Sequence, residues 1–203
     1  MAEKTIRQVR KGAKRQQSLI DAATRLFTSK GFAGTTIDDI VEEADVAKVT
    51  FYAYFKSKEE IALTIKRQCF EECVAYTETL LAKKLTCEEM LKAIIVDIAD
   101  WTEENWRLLD VFCSQRFSPL FERDDQKECK PEPLTICLQA IISQGQQQAL
   151  YRKDIDTWRV AHLMDLAILC EQYHWARIGG TKEQLVANLT KCFDIALNGI
   201  VER

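Results

Sequence analysis

The sequence is poor in the residues that interrupt helices. It has only 7 glycines and 3 prolines in 203 residues. β-Sandwiches, barrels and disordered chains need many turn formers or few apolar residues, so this composition argues against all three. Because 47% of the residues are hydrophobic and 29% are charged, the chain can bury a core and keep a charged surface. We therefore predict an all-α protein, with a length that allows one domain or a small domain joined to a larger one.

Sequence motifs of the common enzyme and secretion classes are also missing. The chain has no G-x-G-x-x-G, G-x-x-x-x-G-K-S/T, H-E-x-x-H or G-x-S-x-G, so we predict no catalysis and no cofactor. Residues 1–18 lack the apolar segment of a secretory signal. The longest uncharged stretch, 134–151, contains several glutamines and serine, which predicts no membrane span. We expect a cytoplasmic protein.

The eight cysteines never form a C-x-x-C pair. Without a secretory signal they are interpreted as reduced thiols, most of them packed in the core. Cys170 and His174, four residues apart, supply too few ligands for a metal ion, so we predict no metal site. Cys69 and Cys73 share a helical face, and a thiol- or metal-responsive protein is kept as an alternative.

Charge is distributed unevenly along the chain. Residues 1–58 hold 11 basic and 7 acidic side chains, a net charge of +4, whereas residues 59–203 hold 17 and 24, a net charge of −7. Such asymmetry indicates a basic surface for a polyanion, attached to an acidic body. The charges of residues 1–15, nearly all basic, predict a mobile arm there.

Three short helices are predicted at the basic end. Apolar residues repeat at helical spacing from residue 16 up to Gly31, which is placed to end the first helix. Thr36 is placed to cap a second helix, and the tight turn at 44–46 leads to a third at 47–55. This spacing fits a helix-turn-helix unit, whose second helix enters the major groove of DNA.

The third helix divides into an inner and an outer face. Phe51 and Phe55, four residues apart, are expected to anchor it. Lysine and threonine can contact bases or phosphates, and a tyrosine hydroxyl can reach a phosphate. The candidate DNA contacts from this pattern are Thr35, Thr36, Lys48, Thr50, Tyr52, Lys56 and Lys58. Aromatic packing beside solvated lysines is the alternative, and a helical protein–protein adaptor is the competing function; the salt dependence of duplex binding would separate them.

The segment 18–62 contains G-F-A-G-T-T followed by V-T-F-Y-A-Y-F-K-S-K-E-E. It resembles the N-terminal domain of TetR-family transcriptional regulators. The resemblance implies a dimeric repressor of a pseudo-palindromic operator, with an effector-binding C-terminal domain that joins the subunits through its last two helices. It also adds Tyr54 to the residues expected at DNA. This chain departs from the family pattern at Asp45, where glycine is frequent, and at Val49, where glycine or proline is frequent.

The remaining chain is predicted to form helices at 58–81, 87–105, 106–116, 133–149, 156–178 and 182–201. We accordingly predict a basic arm at 1–15, a helix-turn-helix domain at 16–58 and an effector-binding and dimerisation domain at 59–203. The effector, of unknown class, is expected near Trp101, Trp106, Phe112, Phe117, Gln139, Trp158, Glu171 and His174. Wide apolar faces on the last two helices predict a homodimer, with burial in one monomeric core as the alternative. Its interface residues would be Val160, Leu163, Ala167, Leu185, Leu189, Ala196 and Ile200.

Overall fold

A computed structural model describes residues 2–117 and 132–199, with side chains described for 11–113 and 132–199. Every regular element in these ranges is helical, which confirms the predicted fold class. A 3₁₀ turn at Trp106–Leu108 separates the helix Cys87–Asn105 from the helix Leu109–Phe117. The segment 118–131, between the helices predicted at 106–116 and 133–149, lies outside the described residues. The helices are α1 Ala2–Lys30, α2 Ile37–Glu43, α3 Lys48–Tyr54, α4 Lys58–Leu81, α5 Cys87–Asn105, α6 Leu109–Phe117, α7 Pro133–Gln147, α8 Thr157–Ile178 and α9 Lys182–Asn198.

The first helix is longer than expected. In place of the mobile arm predicted at residues 1–15, the backbone is helical from Ala2 and continues into the predicted first helix. Lysine, arginine, glutamine and alanine are all good helix formers, and no proline interrupts the segment. The mobile arm was predicted from the positive charge of this segment, without regard to its helix propensity.

Local signals place most of the other helix ends. Gly31 follows α1, as predicted, and Gly179 follows α8; both adopt the left-handed backbone, at φ 79° and 70°. Thr36 caps α2 by accepting a hydrogen bond from the Asp39 backbone N–H, which confirms that prediction. Reciprocal capping boxes at Thr86 and Thr181, which sequence reasoning missed, open α5 and α9.

The chain divides into two compact units. Unit 1 is Met1–Gln68 with Arg107–Glu122, and unit 2 is Cys69–Trp106 with Arg123–Arg203. The functional boundaries at 16–58 and 59–203 stay a prediction. In unit 1, Arg107 donates to the Thr28 carbonyl oxygen at 3.0 Å, near the end of α1. The core of unit 1 consists of apolar residues from α1, α2, α3 and the start of α4, among them Leu19, Phe27, Ile40, Phe51 and Ile61.

Unit 2 has an aliphatic core formed mainly by α5, α7, α8 and α9, including Met90, Ile94, Leu138, Ile141 and Met164. Two buried polar pairs cross it. The Thr135 hydroxyl donates to Asp165 Oδ2 at 2.7 Å, and Gln172 Nε2 donates to Thr102 Oγ1 at 2.6 Å.

None of the helices within 2–117 and 132–199 combines the length and apolar character needed to cross a lipid bilayer.

Candidate nucleic-acid interface

The second and third helices form a helix-turn-helix within unit 1. The turn closes because the N–H groups of Ala44, Asp45 and Val46 donate to carbonyl oxygens of α2 at 3.0–3.1 Å. Asp45 adopts φ 51°, the left-handed conformation that glycine would otherwise occupy and that aspartate tolerates. The departure from glycine at this position therefore leaves the turn intact.

The third helix has a buried face and an exposed face. Phe51 and Phe55 are 0% and 3% exposed, and their rings lie 5.7 Å apart between centroids. On the outer face Val49 and Tyr52 are 75% and 53% exposed, and Lys48 and Lys56 are exposed as well. The outer face therefore offers a lysine, a valine and a tyrosine, side chains that can contact base edges and phosphates.

Val49 is a candidate contact that was not among the predicted DNA contacts. It precedes Phe51 by two positions, so it lies away from the anchored face of α3. Its spacing could have predicted this role, because Val49 lies one helical turn before Tyr52 and Ala53 on the outer face. A branched apolar side chain there can pack against a thymine methyl group.

Thr36 holds the start of α2 in a compact polar cluster. Its backbone N–H and its hydroxyl donate to Asp39 Oδ2 at 2.7 and 2.6 Å, and Lys30 Nζ lies 3.2 Å from Asp39 Oδ1. These hydrogen bonds, those from Thr36 first, lower the pKa of Asp39 to about 2. The Thr36 side chain remains exposed at the helix N-terminus, where a phosphate can be accepted.

Lys48 is paired with a carboxylate of the preceding helix. Its Nζ lies 2.7 Å from Asp38 Oδ1, and both side chains are at least half exposed. The hydrogen bond to Asp38 raises the pKa of Lys48. An exposed pair of this kind contributes little to stability. Lys48 can therefore exchange Asp38 for a DNA phosphate with little loss of folding free energy.

Three other predicted contacts point into unit 1. Thr35 is 1% exposed and its hydroxyl donates to the Gly31 carbonyl oxygen at 2.8 Å. Lys58 Nζ donates to the carbonyl oxygens of Phe32 and Thr35 at 2.7 and 2.8 Å, and it lies 4.3 Å from the centre of the Phe32 ring. Tyr54 is half-buried, with its hydroxyl beside Gly12 of α1. These geometries favour structural roles, whereas half-buried Thr50 stays a candidate.

The residues predicted around an effector are divided between the two units. Phe112 is buried in unit 1, and the Phe117 side chain lies outside the described side chains. In unit 2, Trp101 is half-buried, Trp106 and His174 are exposed, and Trp158 stacks on His162 with ring centroids 4.9 Å apart. Gln139 donates to the Thr157 hydroxyl at 3.3 Å. Asn188 donates to the Glu171 carboxylate at 3.2 Å. The set stays a prediction.

Several predicted interface residues belong to the core instead. Val160, Leu185 and Leu189 are 8%, 1% and 0% exposed within one subunit, so these side chains are unavailable to a partner. Ala167 and Ala196 are half-buried, and Ile200 lies outside the described residues. Among the described members of the set, only Leu163 is well exposed, at 65%; Ile178 and Ile195, which the prediction omitted, are 64% and 76% exposed. Periodicity marks an apolar face but cannot say which neighbour covers it.

Among the described residues, no group of three or more His, Cys, Asp or Glu side chains could hold a metal ion. Cys170 and His174 are both exposed.

Comparison with known proteins finds its family match in the segment that contains the helix-turn-helix. Residues 19–65 match the family of bacterial regulatory proteins described as the tetR family. A 50-residue stretch is 44% identical to the uncharacterised HTH-type transcriptional regulator YerO of Bacillus subtilis (strain 168), covering 25% of this chain but only 17% of that relative. The fatty acid metabolism regulator protein of the same organism is 26% identical over 183 residues, which is 90% of this chain and 93% of that protein.

The solved structures extend the similarity of fold to nearly the whole chain. The Thermus thermophilus protein FadR, described as a TetR-family transcriptional repressor in complex with lauroyl-CoA, superimposes with a TM-score of 0.67 at 22% identity. The superposition covers 93% of this chain and 96% of that one. At this identity the likeness establishes the helical fold of both halves.

Proposed function

Because the chain belongs to the TetR family of DNA-binding helix-turn-helix transcriptional regulators, a family of non-enzymatic proteins, we propose that it is a repressor whose operator is released when a small molecule binds the C-terminal domain. The observation that carries the DNA-binding half is the outer face of α3, where Lys48, Val49 and Tyr52 are exposed around a helix anchored by Phe51. Thr36 and Lys56 flank this face and are the proposed phosphate contacts. Residues 16–58 are the proposed DNA-binding domain and 59–203 the proposed effector and dimerisation domain.

The face of α3 is tested with a duplex selected from a random library by the wild-type protein. Replacing Lys48 or Tyr52 by alanine is expected to weaken binding by roughly 5- to 150-fold, the range of one lost base or phosphate contact. Lys48→Ala should also reduce the slope of log affinity against log salt by about 1. Lys92→Ala, which removes an equal charge from α5, is the control. Unchanged affinity in both variants contradicts the proposed reader helix.

The proposed repressor is a homodimer that places two α3 helices in successive major grooves, about 34 Å apart. The exposed Leu163, Ile178 and Ile195 of α8 and α9 support this, because large apolar side chains on neighbouring helices are normally covered. Leu163→Glu should therefore give monomers in sedimentation experiments, whereas Val96→Glu on α5, 44% exposed in the free chain, should leave the dimer intact. A Leu163→Glu dimer as stable as wild type would contradict this interface.

The proposed effector is a fatty acyl-CoA thioester. The proposal is supported by the full-length similarity to a fatty acid metabolism regulator and by the similar fold of a repressor in complex with lauroyl-CoA. Lauroyl-CoA should release the selected duplex in a gel retardation assay, and coenzyme A without the acyl chain should not. If lauroyl-CoA leaves retardation unchanged, the effector class is wrong, while the DNA-binding proposal stands on its own test.

A further inference from the structure

The positive charge of the first 58 residues is concentrated ahead of the helix-turn-helix. Residues 1–15 hold six basic side chains and one acidic side chain, a net charge of +5, whereas residues 16–58 hold five basic and six acidic side chains, a net charge of −1. Within 16–58, Arg25, Lys30 and Lys48 each lie within 3.2 Å of a carboxylate oxygen. The charge that attracts a polyanion therefore comes mainly from the start of α1.

Three basic residues at the start of α1 are exposed and unpaired. Lys11, Lys14 and Arg15 are open to solvent, and none of them forms a hydrogen bond or an ion pair with any described residue of the chain. The basic series continues at positions 4, 7 and 10, in a backbone that is helical from Ala2. Lys11, Lys14 and Arg15 can therefore bind an anion without breaking a contact inside the protein.

Two contacts in unit 1 place this part of α1 alongside α3. The Ser18 hydroxyl donates to the Ala44 carbonyl oxygen at 3.3 Å, just before the turn that leads into α3. A Cβ atom on Gly12 would lie 3.3 Å from the hydroxyl oxygen of Tyr54, the last residue of α3. Residues 12–18 and 48–54 each span about 9 Å at 1.5 Å per residue. The two segments therefore lie side by side, and α1 continues past the end of α3.

The basic residues lie on the side of α1 that reaches the helix-turn-helix. Positions 11, 14, 15 and 18 are three or four residues apart, so Lys11, Lys14 and Arg15 share a helical face with Ser18. Ser18 contacts Ala44, whereas the three earlier positions stay exposed. The second helix of a helix-turn-helix enters the major groove, so the phosphates that border the groove lie beside that helix. A basic helix next to α3 can neutralise them.

We propose that the basic start of α1 is a second DNA contact, which binds phosphates on the border of the major groove beside α3. The inference rests on the proposed DNA-binding function and adds a sequence-independent contact to it. Phosphates carry no base information, so this surface supplies affinity and salt dependence, whereas the outer face of α3 supplies sequence preference. The ten residues of α1 before Gly12 span about 15 Å, nearly half a turn of duplex DNA.

The contact is tested with Lys11→Ala, Lys14→Ala and Arg15→Ala combined in the full chain. Alanine favours helix, so the circular dichroism spectrum should stay native. The slope of log affinity against log salt for the selected duplex should fall by about 3 per subunit, and affinity at 0.1 M salt should fall on the order of 100-fold. An unrelated duplex should lose the same factor, so the preference for the selected sequence should not change.

Two control variants separate charge at this surface from other effects. Exchanging lysine and arginine at the same three positions keeps the charge and should keep the affinity and salt slope of the wild type. Replacing Lys83, Lys84 and Lys153 together by alanine removes three exposed charges from unit 2 and should leave the salt slope unchanged. An α1 triple variant that binds like the wild type, or no worse than the unit 2 triple variant, overturns the proposal.

The position of the contact is measured by ethylation interference on the selected duplex. Ethylation of phosphates that border the selected bases should prevent binding of the wild type, and some of these positions should lose their effect in the α1 triple variant. Identical interference patterns for the two proteins overturn this contact, while the proposed function stands. If the wild type retards no duplex, the proposed function and this contact both fail.

Discussion

The two units use the same secondary structure in different ways. Unit 1 contains the seven-residue helices α2 and α3, which are too short to be stable alone. They are held by buried aromatic rings such as that of Phe51, whereas exposed ion pairs such as Arg25 with Glu43 contribute little. Unit 2 packs four longer helices around an aliphatic core. The comparison teaches that a few large anchors position an exposed recognition face in unit 1, whereas close interhelical packing dominates in unit 2.

The largest expected effect is loss of the aromatic anchor in unit 1. Phe51 is fully buried, so Phe51→Ala should lower the free energy of unfolding by about 3–5 kcal/mol, measured by urea denaturation. Its neighbour Tyr52 is half exposed, and Tyr52→Ala should change the same free energy by less than about 0.5 kcal/mol. Similar losses in the two variants would mean that α3 is not anchored as described.

Close packing in unit 2 predicts a smaller effect at a helix glycine. A Cβ atom on Gly145 of α7 would overlap the Tyr151 ring, so Gly145→Ala should cost about 1–3 kcal/mol of the free energy of unfolding. Gly12 in α1 is the matched position, since the only described atom that its added Cβ would meet is the Tyr54 hydroxyl oxygen, at 3.3 Å. There, Gly12→Ala should be neutral or should stabilise by up to about 1 kcal/mol, because alanine favours helix. If Gly12→Ala destabilised the protein and Gly145→Ala did not, the closer packing would lie in unit 1 and not in unit 2.

The smallest effect distinguishes the two left-handed turns. Ala149, after α7, has φ 56°, and Asp45, in the helix-turn-helix, has φ 51°. Glycine at Ala149 should stabilise the protein by up to about 1 kcal/mol in thermal unfolding, because the left-handed conformation strains a Cβ carbon. The gain at Asp45 should be smaller, since aspartate tolerates this conformation better than alanine does. A larger gain at Asp45 would show that the turn in unit 1 is the more strained of the two.

Local sequence signals predicted much of the fold. Thr36, Gly31 and Gly179 act through hydrogen bonds or backbone conformations within a few residues of themselves, so their roles could be derived from the chain alone. Phe51 and Phe55 were placed on the inner face of α3 by their spacing, and both are buried. The helical start of α1 was missed because charge was weighed above helix propensity.

The candidate site was predicted less completely, because exposure depends on distant neighbours. Lys58 and Thr35 have the right side chains for a phosphate, yet Lys58 donates to two carbonyl oxygens and Thr35 is buried. Leu185 and Leu189 have the spacing of an interface, yet both are covered by their own subunit. Helical periodicity gives an apolar face in either case, and only the packed chain shows which face stays open.

The sequence by itself determined the all-α class, the division between a basic and an acidic segment, and the helix-turn-helix, since composition, charge and capping act locally. The tertiary structure decided which lysine on this surface is accessible and which apolar residues of α8 and α9 remain exposed. These residues are separated by tens of positions in the chain, so only the packing of the helices brings them together or keeps them apart.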